Sequence, residues 1–353
     1  MKYSIIVPVY NRPDEVDELL QSLTEQELKD FEVVIVEDGS QKPCKDVCDK
    51  FADILDLHYY VKENGGPGQA RNYGAERAHG EWLIILDSDV VLPKGYLKAV
   101  EDGLRGERRE ERGEFAAFGG PDASHPSFTP VQKAISYSMT SFFTTGGIRG
   151  GKKKLDKFYP RSFNMGIRSD VYQQLGGFSK MRFGEDIDFS YRIVEAGYNP
   201  RLFPDAWVWH KRRTDFRKFF RQVYNSGIAR INLEKRHPGT LKLVHLLPMV
   251  FTVGVIALIL IAAVARAMIH YDAPNWHTWY WICLLALSPI LFYSLIIFID
   301  SSIKNKSMKV GLLSVPAAFV QLMGYGFGFI ESWWKRCVMK KDEFQAFEKN
   351  FYK

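Results

Sequence analysis

A chain of 353 residues with a formal net charge of +6 can hold one large domain with an appendage, or two modest domains. The charge favours an anionic partner, but it is too small to indicate nucleic-acid binding by itself. The four cysteines do not form a disulfide framework at this length, and no second Cys/His pair joins Cys44 and Cys48 in a metal-site pattern. We therefore expect reduced thiols.

Apolar residues are distributed unevenly along the chain. Residues 1–240 mix apolar and charged side chains, whereas residues 244–330 are dominated by apolar ones. Met1, Lys2 and Tyr3 lead directly into a strand-like stretch and not into a signal-peptide pattern. We therefore expect the N-terminal part to stay in the cytoplasm, attached to the inner or plasma membrane by the C-terminal part.

Predicted strands and helices alternate in the N-terminal part. Short apolar runs that end in polar or glycine residues predict buried strands, and these runs are YSIIVPVYNR, FEVVIVEDGS, LHYYVKEN and EWLIILDSD. Helices are predicted over residues 13–26, over residues 44–55 and after the glycine-rich turn GGPG. This alternation indicates an α/β fold with a mostly parallel sheet covered on both faces.

Polar residues follow three of these strands at the point where each strand ends. They are Asn11, Glu37-Asp38-Gly39 and Asp87-Ser88-Asp89. Ligands of such sheets gather beyond the carboxyl ends of the strands. Carboxylates two positions apart point the same way and repel each other, and a divalent ion that also binds a diphosphate would offset this repulsion. Each motif alone is compatible with an ordinary turn, but their shared edge indicates a functional site.

Five sequence blocks follow one another over about residues 3–210: IIVPVYNR, VVIVEDGS, GGPGQARNYGAERAHGEWLIILDSD, FNMGIRSDVYQQLGGF and FGEDIDFSYRIVEAGY. This series resembles the family 2 glycosyltransferases, inverting enzymes with the GT-A nucleotide-sugar fold. The resemblance implies an α/β, GT-A (Rossmann-like) nucleotide-sugar-binding domain, followed here by C-terminal transmembrane helices. It also implies a divalent metal cofactor, Mg²⁺ or Mn²⁺.

The resemblance assigns roles to individual residues of this chain. Those expected to bind the nucleotide sugar are Pro8, Tyr10, Asn11, Glu37, Asp38, Arg71, Asn72, Asp87 and Ser88. Asp87-Ser88-Asp89 matches the family's DXD motif, so Asp89 would bind the metal directly. Asp87 would face the ribose or support the metal from behind.

An inverting transfer also needs a base that takes the proton of the attacking hydroxyl. GEDIDF carries Glu185, Asp186 and Asp188, and its Glu-Asp pair matches the position of the family's base, for which Asp186 is the preferred candidate. The alternative is that these acids only favour a helix N-terminus. His210 is a further candidate metal ligand, with packing beside tryptophans as its alternative.

Two further segments are assigned to the acceptor side. Asn164 and Met165 are expected in a loop that shapes the floor of the acceptor site. The basic stretch RGGKKKLDKF, residues 149–158, is expected to close over the diphosphate or to contact lipid headgroups.

Two apolar runs in the C-terminal part, residues 244–265 and 279–299, are long enough to cross a bilayer. A third run, about residues 310–330, contains proline, glutamine and several glycines. Lys and Arg are abundant before the first run and after the second and third, but scarce in the loop between the first two. By the positive-inside rule this distribution favours two spans plus a re-entrant or interfacial third segment, with a third span as the alternative.

The predicted organisation is a catalytic domain (residues 1–215), an amphipathic interfacial linker (216–242), a membrane domain (243–335) and a basic cytoplasmic tail (336–353). The expected activity is transfer of a sugar, from a UDP-sugar in first place, to a lipid-linked or membrane-proximal glycan. The expected context is the synthesis of cell-surface polysaccharide or glycoconjugates. The alternatives are a non-catalytic membrane scaffold or export subunit with a retained transferase fold, and a nucleotidyltransferase.

Overall fold

The computed structural model describes residues 1–107, 114–125, 127–145, 158–211, 214–271, 274–344 and 346. By their contacts, these residues form two units. The sheet unit lies within Met1–Pro126 and Lys152–Lys211, and the helical unit lies within Ser127–Gly151 and Arg212–Phe351. The predicted division at residues 215, 242 and 335 stays a prediction. The predicted basic loop lies outside the described residues, except for Phe158.

The sheet unit contains a large sheet and a small one. Its strands are β1 (Tyr3–Val9), β2 (Phe31–Asp38), β3 (Leu57–Lys62), β4 (Trp82–Leu86), β5 (Val90–Val91), β6 (Ala117–Gly119), β7 (Asp122–Ala123), β8 (Asn164–Arg168), β9 (Arg201–Leu202) and β10 (Val208–His210). The large sheet has the order β3-β2-β1-β4-β8-β6-β9, and the small sheet has the order β5-β10-β7.

The described helices are α1 (Pro13–Thr24), α2 (Lys45–Asp49), α3 (Pro67–Ala75), α4 (Tyr96–Glu107), α5 (Pro130–Thr140), α6 (Phe142–Thr145), α7 (Ser169–Gln174), α8 (Glu185–Glu195), α9 (Phe216–Arg236), α10 (Leu247–His270), α11 (Trp276–Asn305) and α12 (Met308–Trp333). Helices α1–α8 lie between these strands in chain order, and α9–α12 follow the last strand. A 3-10 turn spans Leu243–His245, and a π-helical turn spans Trp334–Val338.

The first four strands of the large sheet run parallel, in the order β3-β2-β1-β4. All residues of β1, β2 and β4 are buried, because helices cover both faces of a parallel sheet. The predicted α/β fold with a mostly parallel sheet is therefore confirmed. The helix predicted over residues 44–55 is shorter and spans only Lys45–Asp49; turns occupy the residues between it and β3.

The expected loop around Asn164 and Met165 is wrong. Both residues begin β8, which pairs antiparallel with β4 and with β6. Asn164 is fully buried; its Oδ1 accepts a hydrogen bond from the Tyr96 hydroxyl at 2.6 Å, and its Nδ2 donates one to the Ala206 carbonyl at 2.8 Å. The amide thus joins three elements of the fold, and it is shielded from any acceptor.

The helical unit consists of α5, α6 and α9–α12. The Asp215 carboxylate caps α9 by accepting a hydrogen bond from the Lys218 amide at 2.8 Å. Among the described residues, three segments are long and apolar enough to cross a membrane: Leu243–His270, Trp276–Asn305 and Met308–Val338, with peak hydropathies of 2.7, 2.6 and 1.5. The segment predicted as an interfacial linker contains α9, a single helix whose second half is buried at consecutive positions from Gly227 to Leu233.

We predict that Asn164→Ala lowers the stability of the sheet unit by about 1–3 kcal/mol, because it leaves the buried Tyr96 hydroxyl and the Ala206 carbonyl without their partner. Thermal unfolding of the purified protein in detergent measures the effect. The control is Gln173→Ala, at an exposed position of α7. Equal unfolding temperatures for the two variants would show that the Asn164 amide is not a structural link.

Candidate functional site

The loops after β1 and β2 are fastened to each other at the carboxyl edge of the sheet. Pro8 is buried inside β1, and Tyr10 is half-buried just beyond it. Asn11 adopts the left-handed region with φ of 56°, and its backbone N–H donates to Ser40 Oγ at 2.7 Å. Its Oδ1 accepts hydrogen bonds from two backbone amides of the β2 loop at 2.8 and 2.9 Å. Asn11 therefore fixes the shape of this edge.

Glu37 and Asp38 end β2, and both carboxylates are buried and bound within the protein. Glu37 accepts hydrogen bonds from the Cys44 amide at 2.8 Å, from the Tyr59 hydroxyl at 3.2 Å and from Ser40. Asp38 accepts them from Lys62 Nζ at 2.7 Å and from the amides of the Gly65-Gly66 turn at 2.9 and 2.8 Å. These two acids hold the loops that border the expected nucleoside pocket.

Arg71, on α3, is buried and connects two acids that are far apart in sequence. Its Nη2 donates to Asp87 Oδ1 at 2.7 Å, and its Nη1 donates to Glu185 Oε1 at 3.0 Å. The guanidinium also lies 5.2 Å from the centroid of the Phe178 ring. Arg71 thus joins the end of β4 to the start of α8, and its single positive charge serves two carboxylates.

Asn72, the neighbour of Arg71, supports the segment that precedes α8. Its Nδ2 donates to the Phe178 carbonyl at 2.8 Å, and its Oδ1 accepts from the Phe178 amide and the Tyr172 hydroxyl at 2.8 and 2.7 Å. A Cβ at Gly177, where φ is 65°, would collide with this amide. Asn72 has its hydrogen bonds inside the fold, at the turn that leads to the acids.

Asp87, Asp89 and His210 form a cluster whose ligand atoms all lie within 4.8 Å of one another. Asp89 Oδ1 lies 3.2 Å from His210 Nε2, and Asp89 Oδ2 accepts a hydrogen bond from Arg12 at 2.9 Å. Ser88 between the two aspartates is buried. The antiparallel pairing of β5 with β10 places His210 opposite Val90, directly after the two aspartates.

The imidazole of His210 packs against an aromatic ring. It stacks on Phe163 with ring centroids 5.0 Å apart. Its Nδ1 is buried without a hydrogen-bond partner among the described residues, since Asp122 Oδ2 lies 3.9 Å away. Two carboxylates and one imidazole are a ligand set that suits a divalent ion such as Mn²⁺.

The adjacent acids at the start of α8 have opposite protonation behaviour. Burial and the neighbouring Asp186 carboxylate raise the pKa of Glu185 to about 7, although Arg71 acts against this. Burial would also raise the pKa of Asp186, but Arg161 outweighs it and the pKa is lowered. Arg161 Nε donates to Asp186 Oδ2 at 2.6 Å. At neutral pH Asp186 is therefore ionised, whereas Glu185 is near its midpoint.

Sequence reasoning missed the two arginines that pair with these aspartates, Arg12 with Asp89 and Arg161 with Asp186. Arg12 ends the motif VYNR, and Arg161 lies in PRSFN, just before the motif that begins with FNMG. Buried or clustered carboxylates need cationic partners, and that requirement was the available signal. Asp122, at the start of β7, was also missed; no sequence pattern links it to His210.

Comparison with known proteins identifies the family. Residues 4–109 match "Glycosyl transferase family 2", and residues 82–297 match "Glycosyl transferase family group 2". The second match covers more than half of the chain, so the chain belongs to this family group of glycosyl transferases.

Curated relatives share parts of the chain. It is 39% identical over 102 residues to the poly(ribitol-phosphate) beta-N-acetylglucosaminyltransferase TarS of Staphylococcus aureus, covering 28% of this chain and 18% of the relative. It is 26% identical over 257 residues to the pre-mycofactocin glycosyltransferase of Mycobacterium tuberculosis, covering 67% of this chain and 48% of the relative. The chain thus spans less than half the length of either relative.

Among solved structures, the mannosyltransferase PcManGT from Pyrobaculum calidifontis, in complex with GDP-Man and Mn²⁺, superposes with a TM-score of 0.55. The two sequences are 15% identical, and the match covers 95% of this chain and 88% of that one. This similarity shows a shared fold.

We predict that Arg71→Met lowers stability by about 3–5 kcal/mol, because it leaves the carboxylates of Asp87 and Glu185 without their shared cation. Thermal unfolding measures the loss. Adding Glu185→Gln in the same chain removes one unpaired charge and should restore part of it. A double variant that is less stable than Arg71→Met alone would contradict the charge-pairing role.

We also predict a pH-dependent stability difference between the wild type and Glu185→Gln. The raised pKa means that the folded chain holds this proton between about pH 4.5 and about pH 7 while the unfolded chain does not, so the contribution of Glu185 to stability falls as pH rises through this window. The unfolding temperature of the wild type minus that of the variant should therefore decrease from acidic to neutral pH. The control is Glu195→Gln, at an exposed position of α8. A constant difference would contradict the raised pKa.

Proposed function

We propose that the protein is a metal-dependent inverting glycosyltransferase bound to a membrane. It would transfer a sugar from a nucleoside diphosphate donor, a UDP-sugar in first place, to a lipid-linked or membrane-proximal glycan acceptor in cell-surface glycoconjugate synthesis. The observation that carries the proposal is the cluster Asp87, Asp89 and His210 at the edge of a GT-A sheet. Arg71 connects this cluster to the acids at the start of α8.

The residues fit a divalent metal, with Asp89, Asp87 and His210 as its ligands. The grouping of three ligand atoms within 4.8 Å, with His210 Nε2 3.2 Å from Asp89 Oδ1, supports this. When bound, Mg²⁺ or Mn²⁺ would supply Lewis-acid stabilisation of the negative charge on the departing diphosphate. Arg12 now pairs with Asp89, and its side chain is 30% exposed, so it can leave this carboxylate and turn to a donor phosphate.

Asp186 is the proposed base. The Arg161 guanidinium keeps Asp186 ionised by lowering its pKa, and an acceptor that displaces this guanidinium from Oδ2 would make the carboxylate basic enough to accept the hydroxyl proton. The Arg161 side chain is 37% exposed, which permits this exchange. Glu185 has a different role: its carboxylate holds Arg71, and through it Asp87, in position for the donor.

The donor and acceptor classes are supported by the names of relatives. TarS is named as an N-acetylglucosaminyltransferase that acts on poly(ribitol-phosphate), and the Mycobacterium tuberculosis relative is named as a pre-mycofactocin glycosyltransferase. An N-acetylglucosamine donor and a large or modified acceptor are therefore the first to be tested. The solved mannosyltransferase contains GDP-Man, which makes guanosine sugars the comparison set.

We further propose that α10 and α11 form a hairpin that crosses the inner or plasma membrane, with residues before α10 in the cytoplasm. Both helices exceed the length of about 20 residues that a bilayer requires, and they pack against each other. Their outward side chains are large and apolar, such as Leu260 and Leu285, which are 60% and 68% exposed. Exposed Trp276 and Trp281 suit the interfacial region at the start of α11.

The proposal predicts that Asp186→Asn lowers the transfer rate by about 10²–10⁴-fold while donor binding persists, because only the proton acceptor is lost. Asp89→Ala should abolish transfer and weaken the binding of Mn²⁺, because it removes a ligand. Sugar transfer and nucleoside diphosphate release are measured with purified protein, and Mn²⁺ binding is measured by calorimetry.

Asp170→Asn, at an exposed position of α7, is the matched control and should keep wild-type transfer. Wild-type turnover in both Asp186→Asn and Asp89→Ala would overturn the catalytic assignment and leave a non-catalytic membrane subunit. Release of pyrophosphate, and not of a nucleoside diphosphate, would identify a nucleotidyltransferase.

A further inference from the structure

Three helices of the helical unit are long and apolar enough to cross a membrane, but α12 differs from the other two in what surrounds it. In its most apolar 18-residue stretch 44% of residues are buried in the protein, against 17% and 11% for the corresponding stretches of the α10 and α11 segments. Whether α12 can cross a membrane depends on the elements that pack against it.

The first part of α12 packs against the end of α11. Ser314 Oγ and Ser301 Oγ are 2.7 Å apart. A Cβ at Gly311 would lie 2.8 Å from the Phe298 carbonyl oxygen, so the two backbones are in close contact there. The start of α12 therefore lies at the level of the last turns of α11.

A later part of α12 packs against the start of α10. A Cβ at Gly326 would lie 2.6 Å from the Pro248 carbonyl oxygen and would collide with the Thr252 hydroxyl. Gly311 and Gly326 are about 22 Å apart along the helix axis. In a two-helix hairpin the start of α10 and the end of α11 lie on the same side of the membrane. Both parts of α12 therefore meet the same end of the hairpin, whereas a crossing helix would carry Gly326 far from the start of α10.

Helix α9 runs beside the second half of α12 in the same direction. The contacts progress from Val223 against Gly324 to the Ile228 carbonyl, which accepts a hydrogen bond from Ser332 Oγ at 3.2 Å. The charged residues of α9 are Arg217, Lys218, Arg221, Arg230, Glu234, Lys235 and Arg236. If α12 crossed the bilayer, α9 would enter it too, and charged side chains are costly in hydrocarbon.

The face of α12 that its neighbours leave exposed is apolar except for Lys309 in the first turn. Met308, Leu312 and Phe327 are 73%, 68% and 36% exposed, and Pro316 between them is also exposed. Their spacing puts them along one side of the helix. The exposed apolar surface of α11 ends near Ile299 and Ile303, and the exposed apolar side of α12 begins shortly afterwards in the sequence.

We propose that α12 lies along the membrane surface and contacts lipid through this exposed face, and does not cross. The exposed face of α12 is covered by the bilayer leaflet that α10 enters first. The basic residues of α9 suit the anionic headgroups of that leaflet. The residues after α12 then share the side of the membrane from which α10 starts. The inference rests on the proposed crossing of the α10–α11 hairpin.

The test uses the full chain in sealed membrane vesicles of one orientation and an impermeant maleimide. Cys337, which is exposed just after α12, is the native reporter once Cys283 is replaced by serine; Cys44 and Cys48 are buried. Two further reporters are introduced in chains that lack Cys283 and Cys337. They are Lys218→Cys on α9 and Tyr271→Cys at the end of α10, both at exposed positions.

The proposal expects Cys337 to be labelled on the same side as Lys218→Cys and opposite to Tyr271→Cys, with all three labelled after permeabilisation. Cys337 labelled with Tyr271→Cys, opposite to Lys218→Cys, would overturn this proposal and leave the hairpin intact. Labelling of all three on one side would show that the hairpin does not cross, which overturns the membrane part of the proposed function as well.

A second measurement reports depth. Leu312→Trp and Phe327→Trp are reconstituted with lipids brominated near the headgroup or deep in the acyl chain. If α12 lies at the surface, bromines near the headgroup quench the tryptophan fluorescence more than deep bromines do, at both positions. Deep quenching at either position would contradict the proposal.

Discussion

The buried guanidinium of Arg71 is the interaction on which the arrangement of the site depends. Asp87 follows directly after β4, Glu185 begins α8 far later in the sequence, and one side chain of α3 pairs with both carboxylates. The Glu185 carboxylate is buried, and a buried charge without a partner would be costly. Because Arg71 satisfies both, the strand end that carries the candidate metal ligands and the helix that carries the candidate base are held at one edge of one unit.

The other two arginines differ from Arg71 in exposure. The Arg71 side chain is 4% exposed, whereas those of Arg12 and Arg161 are 30% and 37% exposed. An exposed arginine loses little when it changes partners, since water solvates it in between. This difference supports a division in which Arg71 is a fixed part of the fold, while Arg12 and Arg161 cover Asp89 and Asp186 until a metal, a donor and an acceptor replace them.

Much of the fold could be predicted from the sequence because β1, β2 and β4 are buried on both faces and read as continuous apolar runs. The polar residues that follow these apolar runs indicated the edge of the sheet at which the candidate site lies. Strand β8 could not be predicted in this way: it is short, and Gly166 in its middle is required by the Phe118 ring against it, which only the tertiary structure reveals. Arg12 and Asp89 lie 77 positions apart in sequence, and local patterns carry no information about such contacts.

The central claim is that Asp89 and His210 hold a divalent ion beside a nucleoside diphosphate, in a site that Arg71 connects to the acids of α8. Anomalous diffraction from crystals grown with Mn²⁺ and UDP tests it most directly, because it locates the metal independently of activity. The account predicts an anomalous peak between Asp87, Asp89 and His210, with Arg12 moved away from Asp89 and Arg71 still paired with Asp87 and Glu185. Bound UDP with no anomalous peak at this cluster, or with a peak held by other residues, would contradict it.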